Sequence, residues 1–209
     1  MRFVCTVLFA LVLSCAWSMD VKPILPNDEI MYEDNTYSVD NVTDLVALRN
    51  GVNTGLSFTY KGNTIPAYAV GCSFIQTANI DLSSVCGSSI ATSWTPVGVS
   101  SSIPFKGKFY GGGYAISNLY INATSTNQGL FGYVNAAVLD SICLVNTEVN
   151  GNGYYVGGVC GYATGSTSIE YCTNSGSVRG SGYYMGGVCG YAASSTSIKY
   201  CTNSGSVYG

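Results

Sequence analysis

Histidine is absent from all 209 residues. That absence excludes Ser-His-Asp and Cys-His nucleophilic catalysis and removes the commonest nitrogen ligand from any zinc site. Charge is scarce as well. Lys+Arg number 8 and Asp+Glu 11, together 9% of the chain, for a net charge of −3 at pH 7. With no basic stripe to neutralise phosphates, nucleic acid is excluded as a partner. There is no long Leu/Ala/Glu/Lys stretch, so an all-helical fold is not expected. After the first 18 residues no apolar run is long enough to span a bilayer.

What is present points elsewhere. Residues 1–18 read as a secretory signal peptide: Arg2 near the start, then an apolar run, then Ala16-Trp17-Ser18 at cleavage spacing. The mature chain is therefore expected to be secreted or on the cell surface. Apolar residues make up 47% of the chain, Tyr contributes 17 residues and Gly 26. Such a chain can build a core and needs many turns and close backbone approaches.

Of the 9 cysteines, Cys5 and Cys15 fall in the leader. Cys72, Cys86, Cys143, Cys160, Cys172, Cys189 and Cys201 remain, an odd number for an exported chain. Cys72 and Cys86 lie outside the repeats and are the candidate disulfide, by compartment and elimination.

A repeat dominates the second half. The segment GNGYYVGGVCGYATGSTSIEYCTNSGSVR is followed by GSGYYMGGVCGYAASSTSIKYCTNSGSVY, which places Cys189 and Cys201 each 29 residues after Cys160 and Cys172. A degenerate earlier copy aligns Gly129, Gly132, Tyr133, Cys143 and Val149 with Gly158, Gly161, Tyr162, Cys172 and Val178. Cys143 is the position most open to a one-residue slip. The unit shows strand and turn signals, with Tyr154-Tyr155-Val156 and residues 168–172 strand-like and Asn174-Ser175-Gly176 a turn.

Short strands and turns in ~29 residues make one coil of a parallel β-solenoid, with equivalent residues stacked about 4.8 Å apart. Tandem antiparallel hairpins are the other reading. Gly157-Gly158 and Gly186-Gly187 would admit a close backbone approach, and Asn174 with Asn203 would form an amide ladder. The stacked cysteines form either an inward thiol ladder or disulfides between coils. C-x11-C spacing without histidine is not a zinc site, and no motif calls for a cofactor.

Before the repeats, residues 42–53 are the one helical stretch, capped by Thr43 or Asp44 with Val46, Leu48 and Val52 apolar along it. It is expected to close the solenoid end. The organisation is then signal peptide 1–18, a loose segment 19–35, a cap with first strands 36–104, and repeats over 105–150, 151–179 and 180–209. Gly111-Gly112-Gly113 reads as a turn, because no Gly-Lys-Ser/Thr follows.

FKGKFYGGGYAISNLYI, NQGLFGYV and the two repeat copies resemble the GLUG-motif proteins, and DLVALRNGVN, ANIDLSS and WTPVG resemble the segment that precedes those repeats. The resemblance covers residues 36–209. Family members are secreted or surface-anchored proteins of bacteria and some protists. Their repeats occur in adhesin-like proteins and beside the peptidase part of certain immunoglobulin A1 proteases. The resemblance implies a β-helical stalk or adhesive module. It supplies no catalytic residues, and no HExxH is present.

The leading functional expectation is a non-enzymatic structural or adhesion module. Tyr154, Tyr155, Tyr183 and Tyr184 are its candidate stacking residues, with extracellular glycans or neighbouring surface proteins as partners. A carbohydrate-active β-helix enzyme is the alternative, as is the stalk of a larger protein whose active domain lies beyond residue 209. The enzyme would need clustered carboxylates, and the two repeats offer only Glu170. An ice- or crystal-binding face over residues 166–168 and 195–197 is a third. Asn41 and Asn122 head Asn-x-Thr glycosylation sequons. The last repeat ends at Gly209 without a cap or anchor, which reads as a fragment or as an edge that pairs with another chain.

Overall fold

The computed structural model describes residues 35–193 and 195–209. The signal-peptide expectation lies outside these residues. Within them the chain winds as a parallel β-solenoid whose coils stack wall on wall. The first wall contains six strands in sequence order: Thr36–Val39, Ser73–Gln76, Lys108–Tyr110, Val138–Asp140, Ser168–Glu170 and Ser197–Lys199. A second wall runs from Ile80–Asp81 through Ala115–Ser117, Cys143–Val145 and Thr173–Asn174 to Thr202–Asn203. A third joins Tyr120–Ala123, Glu148–Gly151, Ser177–Arg179 and Val207–Tyr208. A fourth stacks Phe131–Asn135, Cys160–Thr164 and Cys189–Ala192, and a short fifth pairs Val156–Gly157 with Met185–Gly186.

All of these pairings are parallel; among the described strands only the small hairpin of Phe58–Tyr60 with Asn63–Ile65 is antiparallel. The tandem-hairpin reading is therefore replaced by the solenoid. The reason is register. In-line stacking places inward residues on inward residues of the next coil, most of them apolar, and a one-residue shift would turn each coil inside out.

The inward columns taper along the axis. Phe74, Phe109, Leu139, Ile169 and Ile198 stand in one column. Phe131, Cys160 and Cys189 stand in another, and Ile80, Ile116, Leu144, Asn174 and Asn203 in a third. At the wide end the aromatic rings touch: Phe74 with Phe105, Phe105 with Phe131, and Phe109 with Phe131, at 5.0–6.4 Å between centroids.

The slip anticipated at Cys143 is real. Thr164 pairs with Asn135, but Ser168 pairs with Val138, so the later coil holds an extra residue at the corner around Gly165. The earlier coil recovers it between Val145 and Glu148. Cys143 consequently stands opposite Thr173, not Cys172.

The helix, Val42–Asn53, closes the first coil. It is capped by Asn41, whose side-chain oxygen accepts from the Asp44 N–H at 3.1 Å. Thr43 and Asp44 were the expected caps. Asn41 takes the role because its extended backbone (φ −161, ψ 178) aims the side chain at the open amides. Leu45, Leu48, Gly51 and Val52 are its buried residues, so Leu45 replaces Val46 on the inward face. At Gly51 a Cβ would sit 2.1 Å from the Phe58 ring, so only glycine lets the hairpin lie on the helix. Lys61 ties the hairpin to the helix start through Asp40 (2.6 Å) and Asp44 (2.8 Å).

Candidate functional site

Tyr154-Tyr155 and Tyr183-Tyr184 lie just before the strands of the fifth wall, not within strands as expected. At Tyr155 the backbone turns through the left-handed region (φ 62), so the two side chains do not alternate across a sheet. Their rings lie side by side, 6.1 Å apart. Coil stacking then converts each position into a column. Tyr154 stacks on Tyr183 at 5.3 Å and 10°, and Tyr155 on Tyr184 at 5.3 Å and 18°.

A third column, Tyr133, Tyr162 and Tyr191, stacked at 4.8 and 5.0 Å from ring to ring, backs them. Tyr155 and Tyr184 meet it edge-on, against Tyr162 (4.9 Å, 80°) and Tyr191 (5.0 Å, 77°). Edge-to-face and offset contacts of this kind fix ring positions. The outermost column is the most open, with Tyr154 48% and Tyr183 79% exposed. The sequence reading singled out two of these columns and missed the third. Its signal was the Gly-Tyr step repeated at 132–133, 161–162 and 190–191. Tyr171 and Tyr200 form a further stacked pair at 4.9 Å, each at a left-handed corner.

The interior beneath this face is held by the anticipated amide ladder. Asn174, 1% exposed, donates from Nδ2 to Asn203 Oδ1 at 3.0 Å and accepts from the Gly176 N–H at 3.3 Å. Its side chain occupies space left by Gly158, where a Cβ would lie 3.0 Å from the amide and 2.4 Å from the Gly187 carbonyl. Thr167, in the candidate ice-binding segment, is buried and accepts from the Ala137 N–H, so residues 166–168 do not form one flat outward row.

Cys72, Cys86, Cys160, Cys172, Cys189 and Cys201 are free thiols. The Cys72–Cys86 disulfide is thus not formed. Cys72, just before the first wall, contacts the Val70 carbonyl, whereas Cys86, after the second, contacts the Asn118 carbonyl. Cys160 and Cys189 are register partners on the fourth wall, and Cys172 and Cys201 take equivalent places before the second. Burial pushes the Cys160 and Cys172 thiols well up.

The register also creates a carboxylate pair that the sequence did not reveal. Tyr110, Asp140, Glu170 and Lys199 form one column of the first wall. Burial raises the Asp140 carboxyl, the Ser141 hydroxyl opposes the rise, and the Glu170 charge adds to it. Ser141 donates to Asp140 at 2.7 Å and Ser168 donates to Glu170 at 2.8 Å. Among the described residues no group of three or more His, Cys, Asp or Glu side chains could hold a metal ion. No helix among them is long and apolar enough to cross a membrane. Asn41 and Asn122 are both exposed, Asn41 at the helix cap and Asn122 on the third wall.

A family model, the GLUG motif, matches residues 152–179 and 181–208, the two stacked coils that carry the paired tyrosines. No curated protein and no solved structure matches the chain.

Proposed function

From the premise that this is a GLUG-motif repeat protein folded as a β-solenoid module, we propose that it is a secreted or cell-surface, non-catalytic adhesion module. Its binding face is the tyrosine array of residues 154, 155, 183 and 184, and its partners are extracellular glycans or neighbouring surface proteins. One observation carries this reading. Four rings in two parallel columns, three of them on exposed side chains (Tyr154, Tyr183 and Tyr184), are held outward by a third column behind them. Fixed amphipathic rings give contact area at little entropic cost, and each hydroxyl can hydrogen-bond a partner. An interior of stacked residues keeps the rings in place before any partner arrives, which lowers the cost of binding.

The test is a glycan-array screen and pull-down with the secreted chain. Tyr154→Ala/Tyr183→Ala is expected to abolish saturable binding while leaving the β-rich circular dichroism spectrum unchanged. Binding that survives both this pair and Tyr155→Ala/Tyr184→Ala would overturn the assignment of the face.

A carbohydrate-active β-helix enzyme is the second reading, favoured by one observation: Asp140 and Glu170 on adjacent strands, with Asp140 raised. Adjacent strands stand about 4.8 Å apart, so the two carboxylates are neighbours on one face, as glycosidase chemistry requires of its carboxylate pair. Glycan cleavage by the wild-type chain that disappears in Glu170→Gln would support it.

A further inference from the structure

The thiols left in the repeats are spaced for chemistry that the tyrosine face does not use. Cys172 Sγ lies 3.6 Å from the Leu139 carbonyl and 3.3 Å from the Glu170 carbonyl. One coil on, Cys201 Sγ lies 3.5 Å from the Ile169 carbonyl and 3.3 Å from the Lys199 carbonyl. Leu139 pairs with Ile169, and Glu170 with Lys199. Both sulfurs therefore repeat one setting, a single rung apart. A rung of about 4.8 Å falls inside the ~4.4–6.8 Å Cα window of a disulfide.

We propose that Cys172 and Cys201 are a reversible redox pair whose disulfide staples the Thr202–Asn203 coil to the Thr173–Asn174 coil. The roles of the two thiols differ. Cys172 is fully buried, while Cys201 is partly exposed. Donation from the Cys172 thiol draws the Cys201 thiol below its ordinary value. A partly open, thiolate-prone cysteine above a buried partner is the arrangement of an attacking and a resolving thiol.

With hydrogen peroxide as the oxidant, the Cys201 thiolate attacks one peroxide oxygen. The O–O bond breaks, a proton completes one water, and Cys201 is left as the sulfenic acid. The Cys172 sulfur then attacks the Cys201 sulfur. The S–O bond breaks, the Cys172 proton leaves with the hydroxyl as a second water, and the S–S bond forms. Two thiols are oxidised by two electrons, and one peroxide is reduced to two waters. A dithiol reductant reverses the change.

Cys160 and Cys189 provide the internal comparison. They are in register too, but Cys160 is enclosed and the Cys189 thiol donates to the Tyr191 carbonyl at 3.4 Å. The experiment uses the full chain, reduced, desalted and exposed to hydrogen peroxide. N-ethylmaleimide then blocks the remaining thiols, and peptides are mapped by mass spectrometry.

The expected result is a peptide linking Cys172 to Cys201, with loss of maleimide from both and its return after dithiothreitol. Cys201→Ala removes the link and leaves Cys172 alkylated, whereas Cys189→Ala leaves it intact. Over-oxidation of Cys201 with Cys172 still alkylated, or a Cys160–Cys189 link that forms first, overturns the proposal. If Cys201→Ala does not fold, the wild-type peptide map alone decides.

Discussion

The two ends of the solenoid obey the same register but fill it differently. At the capped end the columns hold Phe74, Phe109 and Phe105, Trp94 is buried with its indole N–H donating to the Leu130 carbonyl, and Leu45 and Leu48 of the helix close the bottom. In the two GLUG coils the same columns hold Ile169, Ala163, Cys160 and Asn174, and the large aromatic side chains have moved outside. The capped end is stabilised by volume, because large side chains bury the most apolar area. The repeats rely on identity along their inner columns: Cys160 stacks on Cys189, Ile169 on Ile198 and Asn174 on Asn203, so shape and hydrogen bonding match there without a large core. That division frees tyrosine for the surface, where the proposed binding occurs.

The contrast can be broken most severely within one column. Phe109→Ala is expected to cost about 3–5 kcal/mol in a denaturant melt. Ile198→Ala, the same column at 41% exposure, should cost under ~1 kcal/mol. Equal losses would contradict the taper. Next in size is the amide ladder. Asn174→Ala removes the partner of Asn203 and of the Gly176 N–H, and should cost about 1–3 kcal/mol by chemical denaturation. Gly158→Ala, which drives a methyl group against the Gly187 carbonyl, should fall in the same ~1–3 kcal/mol range. A neutral result for either would show that the repeats do not depend on residue identity.

The two regions should also answer pH with opposite signs. In the cap, Asp40 is held down to about 2, first by its bond from Lys61 and then by that from Thr77. Its stabilising contribution is present above the unfolded carboxyl value near ~4 and is lost as pH falls through about 2. Asp40→Asn should therefore lower the melting temperature at pH 7 more than at pH 2. Next to the repeats, on the strand that pairs with the first GLUG coil, Asp140 is raised, chiefly by burial. Its favourable contribution is full below the unfolded value near ~4 and is lost as pH rises through the higher folded value. Asp140→Asn should stabilise the fold at pH 7 relative to pH 4, by under ~1 kcal/mol given its partial exposure. A similarly small effect on folding is expected from Tyr154→Ala/Tyr183→Ala, whose outer rings contribute about 0.5–1.5 kcal/mol as a pair, while binding is lost.

Much of this was legible in the sequence because a repeat states its own register. Equivalence of Cys160 with Cys189, and of Asn174 with Asn203, followed from the 29-residue step. The helix at 42–53 was legible from its apolar spacing. Three kinds of feature were not. The cap depended on backbone conformation at Asn41, which neighbouring Thr43 and Asp44 obscured. The Tyr pairs depended on the left-handed turn at Tyr155, where a strand pattern predicts alternation. The Asp140–Glu170 pairing depended on a slip that cancels within one coil, so its two residues lie 30 apart where the repeat suggests 29. The Cys72–Cys86 pairing failed because elimination ignores geometry, and the two thiols pack beside different walls.

Amide hydrogen exchange along the chain tests the central contrast most directly. A core filled by volume at one end and by stacked identity at the other predicts protection that falls stepwise along the first wall, from Ser73–Gln76 through Val138–Asp140 to Ser197–Lys199. Uniform protection across these strands, or strongest protection in the two GLUG coils, would contradict it.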